Sequence, residues 1–219
     1  MKAVLQYRAS PGFQDRIAAT APDWLDVLVI NEADKETFAA EMADTDVLLH
    51  VLETVTADVI EAAPALRLIQ KIGVGVNTID LDGAAQNGVA VCNMPGTNSR
   101  AVAELTLTLM LAALRRVPYF DSRMRGGDGW TANLNSFDGL GEIAGRTVGL
   151  VGYGNVARLL APVLTAMGAH VLYTATLKKR DAEADWRELP DLLREADIVS
   201  LHLPLTTATE HMIDGRAIK

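Results

Sequence analysis

One short run holds the residues whose types and spacing could do chemistry: Thr147-Val148-Gly149-Leu150-Val151-Gly152-Tyr153-Gly154-Asn155-Val156-Ala157. It reads as an apolar strand, a glycine-rich turn and the start of a helix. The turn has the form G-x-G-x-x-A, with Gly152, Gly154 and Ala157 at the three small positions. Gly152 permits a tight turn out of the strand. Gly154, without a Cβ, lets a pyrophosphate approach the main chain, and Ala157 lets the helix pack close to the strand. The helix start offers free N–H groups and a partial positive charge to phosphates. Strand before and helix after are the context a dinucleotide site requires. The competing reading is an ordinary tight turn between a strand and a helix.

The rest of the chain must position that run. It has 219 residues, 49% hydrophobic and 22% charged, the profile of a globular protein with room for one large or two modest domains. A net charge of -8 and the lack of a Lys/Arg cluster argue against a nucleic-acid partner. Cys92 is the only cysteine, so no internal disulfide can form, which fits a reducing cytoplasm, the expected location. Residues 1–20 read as a strand and an amphipathic helix, not as a signal peptide. The longest apolar run, Leu105–Leu114, is too short to span a bilayer, so no membrane partner is expected. No metal-ligand set is read from the chain.

Strands are expected at 2–7, 25–30, 46–52, 66–72 and 89–92. Helices are expected near 13–20, at 34–42 with Asp34 as cap, at 57–63 with Thr56 as cap, and at 81–87. Nearly unbroken apolar strands alternating with short helices indicate a parallel sheet covered on both faces, flavodoxin-like in style. Met94-Pro95-Gly96-Thr97-Asn98-Ser99 breaks the pattern, placing one domain at 1–97 and a second at 98–219. The second domain opens with a long helix, Arg100–Arg116, apolar on most faces, which is expected to be buried on more than one side by a homodimer or by domain packing. Residues 117–145, with Pro118 and Gly126-Gly127-Asp128-Gly129-Trp130, read as a long irregular segment. Beyond the glycine turn, strands are expected at 170–174 and 197–201, with helices at 189–196 and from Thr206 to Ile213.

Five stretches in order resemble the D-isomer-specific 2-hydroxyacid dehydrogenases, the family of phosphoglycerate dehydrogenase, glyoxylate/hydroxypyruvate reductase and formate dehydrogenase. They are Ile72-Gly73-Val74-Gly75-Val76-Asn77-Thr78-Ile79-Asp80, Asn93-Met94-Pro95-Gly96, Val102-Ala103-Glu104-Leu105, the glycine turn, and Ser200-Leu201-His202-Leu203-Pro204-Leu205-Thr206. The resemblance implies an α/β protein with a flavodoxin-like substrate domain and a Rossmann coenzyme domain, joined by two crossing segments with the site in the cleft. It implies an oxidoreductase that interconverts a small 2-oxo acid and its D-2-hydroxy acid with NAD or NADP. It also implies that main-chain amides, here Val74 and Gly75 with Asn77 alongside, hold the substrate carboxylate. The position agrees, since this loop leaves a buried strand at the sheet's C-terminal edge, where α/β sites lie.

The expected cofactor contacts are Gly152, Tyr153, Gly154, Asn155 and Val156 at the turn, with Thr174, Lys178 and Lys179 after the next strand. NAD enzymes usually carry a carboxylate about 20 residues past the first turn glycine. Here the strand ends Tyr173-Thr174-Ala175-Thr176 and Lys178-Lys179-Arg180 follows, which favours NADP over NAD. The opposing reading of those cations is a solvated loop. His202, Leu203, Pro204 and Thr209 match the family segment along the adenine side, and His202 is not expected to be the catalytic acid.

Three strands are expected in the second domain after residue 145, where a full doubly wound sheet has six. The family's catalytic Arg, Glu and His have no match and are expected beyond Lys219. The His would exchange a proton with the substrate oxygen as hydride moves. The 219 residues alone are therefore expected to be inactive. A piece of a longer protein is favoured over a short chain that has lost catalysis. Phosphoglycerate dehydrogenases resemble the chain at Gly75-Val76-Asn77 and Asn98-Ser99-Arg100, yet Glu53 stands where that subfamily has arginines and would repel a phosphate. Glyoxylate or hydroxypyruvate is the preferred substrate. The alternatives are a nucleotide-sensing, corepressor-like binding protein of the same fold and a dimerising, non-catalytic fragment.

Overall fold

The structure is a computed structural model that describes residues 1–129 and 134–218; Trp130 and Lys219, named above, lie outside the described residues. The chain divides into two compact units, Met1–Thr97 and Asn98–Lys219.

The first unit runs β1 (Lys2–Gln6), α1 (Pro11–Thr20), β2 (Asp26–Ile30), α2 (Lys35–Met42), β3 (Val47–His50), α3 (Ala57–Glu61), β4 (Leu68–Lys71), α4 (Leu81–Gln86) and β5 (Ala90–Cys92). All pairings are parallel and the order is β2-β1-β3-β4-β5, the flavodoxin-like arrangement that reverses direction between β1 and β3. Ala3, Val4 and Leu5 are all buried, which is why the strand reads as an unbroken apolar run: helices cover both its faces. Val4, Leu48 and Ile69 meet Phe38 and Met42 of α2, Ile60 of α3 and Ala84 of α4 in one core. Ser10, Asp34 and Asp80 cap their helices by accepting from Phe13, Thr37 and Gly83 N–H. Thr56 precedes α3 without such a bond, so the expected cap is a position only.

The second unit runs α5 (Ser99–Leu114), α6 (Val117–Arg125), a 3-10 turn (Leu134–Phe137), β6 (Thr147–Val151), α7 (Asn155–Ala166), β7 (His170–Thr174), β8 (Asp185–Trp186), α8 (Leu189–Glu195) and β9 (Ile198–Leu201). The parallel sheet is ordered β8-β7-β6-β9, so the chain returns across β6 and the switch point lies between β6 and β9. Four strands stand where three were expected. β8 is two residues long and carries Asp185, so no apolar run marks it. It forms because Leu172 and Tyr173 at the open edge of β7 pair with Asp185 and Trp186.

Other expectations also change. The segment read as irregular holds α6: Pro118 sits at its first turn, where a missing N–H costs nothing. Arg116, in the left-handed region at φ 52°, separates it from α5. No helix forms over Thr206–Ile213; Thr209 and Glu210 N–H both return to the Thr206 carbonyl, and His211 at φ 54° turns the chain away. Within its unit α5 packs on α7 along one side, Ala103 and Met110 meeting the core around Leu160 and Leu164. Leu105 and Leu109 on its other side are 57% and 60% exposed in the single chain.

Candidate functional site

At the C-terminal end of β6 the main chain is pinned from both sides. Gly152 N–H donates to the Thr174 carbonyl of β7 at 2.9 Å, and His202 N–H donates to the Val151 carbonyl at 2.7 Å. Gly152 has φ 95°, and a Cβ there would collide with the His202 carbonyl group. Gly154, the residue before α7, differs: a Cβ there would meet nothing within 4 Å. The N–H groups of Asn155, Val156 and Ala157 donate to no protein acceptor among the described residues, and no side chain caps the helix. Gly154 and the positive end of a 12-residue helix therefore stand beside open space, with the first N–H groups of that helix unpaired. Ala157 is fully buried against the strand layer.

That space is a cleft of about 790 Å³ along the edge of β6, β7 and the segment after β9. It gathers Gly152, Tyr153, Gly154, Thr174, Lys179, His202, Leu203, Pro204 and Thr209 from the expected set. Asn155 and Val156 flank it without lining it, and Val156 packs into the core behind. Lys178 is turned away, its Nζ 5.9 Å from the Trp186 ring centroid. The lining includes Lys179 and no carboxylate. Leu189, Ala208 and Met212 complete an apolar wall that motif reading missed, because they lie in segments with no signature of their own. Thr209 closes its turn by accepting from Thr206 N–H at 2.8 Å and donating to the Pro204 carbonyl at 2.7 Å. His202 Nε2 is buried without a partner, and burial pushes the imidazole below its ordinary pKa, so it is neutral.

The loop after β4, in the first unit, is a separate polar feature. Val74, Gly75, Val76 and Asn77 N–H donate to no protein acceptor among the described residues. The loop is held from outside: Asn93 Nδ2 donates to the Val74 carbonyl at 2.8 Å, and Met94 N–H to the Gly73 carbonyl at 2.9 Å. A Cβ on Gly75 would lie 3.0 Å from Asn77 Oδ1, so glycine leaves the carboxamide its place. These amides are left free to donate to a ligand. His50 and Lys71 pair in register at the ends of β3 and β4, both buried. Lys71 Nζ donates to the Val51 carbonyl, and its charge has no carboxylate partner among the described ion pairs. Glu53, expected to repel a phosphate, is paired with Lys35.

Comparison with known proteins follows this geometry. Residues 107–219, more than half of the chain, match the family D-isomer specific 2-hydroxyacid dehydrogenase, NAD binding domain. The chain is 36% identical over 192 residues to a glyoxylate reductase of Aeropyrum pernix, covering 84% of this chain and 57% of that protein. It is 36% identical over 205 residues to a D-3-phosphoglycerate dehydrogenase of Mycobacterium bovis, covering 91% of this chain and 38% of that protein. The chain thus spans little more than half, or less, of these relatives' length. Among solved structures, D-lactate dehydrogenase with NAD+ from Lactobacillus jensenii superposes with a TM-score of 0.72 at 30% identity, over 99% of this chain and 67% of that one.

Proposed function

Since the chain belongs to the D-isomer-specific 2-hydroxyacid dehydrogenase family, we propose that it serves the NAD(P)-dependent interconversion of a small 2-oxo acid and its D-2-hydroxy acid. The observation that carries this reading is the open space over Gly154, faced by the unpaired N–H groups that start α7. A residue there with no Cβ, a helix N-terminus aimed at the gap and a cleft beside it suit a pyrophosphate and little else. The nicotinamide, when bound, supplies the hydride chemistry. The chain's own part is to bind and orient. Asn155 and Val156 N–H take the phosphates, and the wall formed by Leu203, Pro204 and Met212 covers an apolar ring. Lys179, with no carboxylate in the lining, supports NADP over NAD.

The substrate carboxylate is assigned to the Val74 and Gly75 amides, with Asn77 alongside. A small acid such as glyoxylate or hydroxypyruvate remains the preferred substrate. None of the four histidines is proposed as the proton donor: His170 pairs with Asp185 at the surface, His211 is exposed, His50 is committed to the Glu53 carbonyl, and His202 is half-buried with its Nε2 enclosed and its pKa lowered by burial. The 219 residues on their own are therefore proposed to bind without turnover. The exposed Leu105 and Leu109 face of α5 is proposed to be buried in a homodimer.

Fluorescence titration with NADPH and NADH tests the binding reading. Saturable binding of either supports it, and a preference for NADH above about tenfold overturns the NADP assignment. Robust reduction of glyoxylate by a purified chain of intact mass 23.5 kDa overturns the claim that it binds without turnover. A sedimentation profile showing only monomer at micromolar concentration removes the dimer.

A further inference from the structure

The segment from Ala175 to Ala184, between β7 and β8, has no helix or strand of its own, yet it supplies one wall of the cleft through Ala175, Thr176 and Lys179. What holds it is a pair of tyrosines beneath. Tyr173, on β7, receives Lys179 N–H at 2.8 Å on its hydroxyl oxygen, and the same hydroxyl donates to the Lys179 carbonyl at 3.2 Å. Tyr153, between the two turn glycines, receives Glu183 N–H at 3.1 Å. The rings pack together with centroids 4.4 Å apart, and both are buried. Between the two ties, Arg158 of α7 holds Asp181 by two bonds of 2.8 and 3.2 Å while lying over the Tyr153 ring.

Packing alone does not call for these hydroxyls. Phenylalanine would fill both ring positions, and the partners found for each hydroxyl are main-chain groups of this one segment. Arg158 also commits Asp181, the carboxylate nearest in sequence to Lys179, and Asp181 does not line the cleft. A flexible lysine discriminates between ligands only where its main chain is fixed. We propose that Tyr173 and Tyr153 are positioning residues for cofactor discrimination: their hydroxyls fix residues 179–183 so that Lys179 stands at the cleft and Asp181 stays out of it. This rests on the reading of the cleft as an NAD(P) site.

The test uses the full chain with Tyr173→Phe, Tyr153→Phe and Lys179→Ala. NADPH and NADH affinities are measured by fluorescence, and amide exchange over residues 176–183 by mass spectrometry. Loss of the bridging hydroxyl in Y173F is expected to weaken NADPH about fivefold while changing NADH less than about twofold. Exchange in the segment should quicken. Y153F, which loses one bond and keeps its ring, should shift the ratio in the same direction, so either variant suffices if the other folds poorly. Lys179→Ala gives the full size of the lysine's contribution. The proposal is overturned if both phenylalanine variants keep the wild-type NADPH:NADH ratio, even with faster exchange, or if both affinities fall equally. A wild-type preference for NADH would overturn the NADP assignment alone, because the tyrosines are judged by the change in ratio between variant and wild type.

Discussion

The His202 carbonyl group occupies the space into which any side chain at residue 152 would grow; a Cβ there would stand 2.8 Å from the His202 carbonyl carbon. The return strand's last hydrogen bond, His202 N–H to the Val151 carbonyl, keeps that group in place. Gly152 is thus required by the protein itself, through its φ of 95° and this close approach, whereas a Cβ on Gly154 would meet nothing within 4 Å among the described residues. The two glycines of one motif should therefore part under substitution. Gly152→Ala is expected to destabilise the fold by about 1–3 kcal/mol, the scale of left-handed strain plus a clash. Gly154→Ala should leave the melting transition within about 0.5 kcal/mol of wild type and weaken dinucleotide binding by at least about tenfold. Thermal unfolding and fluorescence titration of the same two variants decide it; a Gly154→Ala chain that binds as wild type would remove the phosphate reading.

A third glycine acts through packing. A Cβ on Gly149, in the middle of β6, would lie 2.9 Å from Leu192 Cγ and 3.0 Å from Ala196 Cβ, and Leu192 is fully buried. The missing side chain lets α8 rest directly on the central strand. Gly149→Ala is expected to cost about 1–3 kcal/mol by overpacking, read as a lower urea midpoint with unchanged slope. Dinucleotide affinity, measured where the variant is folded, should stay near wild type, since Gly149 does not line the cleft.

These glycines show what a sequence can and cannot disclose. Gly152 and Gly154 are legible because their reasons are local: a strand before, a helix after, two residues between. Gly149 is not, because its reason is Leu192, a residue whose position depends on the whole fold. The apolar runs around Val4, Leu48 and Ile69 disclosed a parallel sheet because burial on both faces leaves no polar alternation. β8 escaped because pairing with β7, not composition, makes it a strand. Within the segment 117–145, expected to be irregular, Pro118 occupies the first turn of α6, where proline fits. Lys178 and Lys179 were equivalent in the sequence. In the fold Lys179, its main chain bonded to the Tyr173 hydroxyl, lines the cleft, while Lys178 lies over Trp186.

Acid should weaken the protein before its carboxylates titrate. Burial pushes His50 below the ordinary imidazole value of 6.5, and the bond to the Glu53 carbonyl only partly offsets this. Burial alone does the same to His202. Above 6.5 both are neutral whether the chain is folded or not. Below it, the unfolded chain takes up protons that the folded chain refuses, so stability falls as pH drops from 6.5 toward the lowered folded values. Asp46, held down by Lys2 N–H and Arg67, adds a separate loss only near and below its ordinary 3.8. Urea midpoints are expected to be flat between pH 7 and 8 and to decline from pH 6.5 to 5. His202→Gln, which carries no titrating proton, should flatten part of that decline; an unchanged profile in this variant would remove His202 from the account.

Lys71 offers a case in which affinity and stability should separate. Its stem runs beneath the loop after β4, with Cε 3.3 Å from where a Cβ on Gly73 would be, and its ammonium is buried on the Val51 carbonyl. Burial lowers its pKa, as expected of a charge that the interior disfavours. Lys71→Met removes that desolvation cost but leaves the Val51 carbonyl without its donor, and the two effects oppose each other. Stability should therefore move by less than about 1 kcal/mol. The loop carrying the unpaired amides of Val74 to Asn77 loses the buried cation whose stem meets it at Gly73, so affinity for a 2-oxo carboxylate is expected to fall about tenfold. Lys71→Arg, which keeps the charge, should recover most of it. The comparison is made by calorimetric titration of glyoxylate into the cofactor-saturated protein, and equal affinity in wild type and Lys71→Met would show that the loop amides hold the anion without help from this charge.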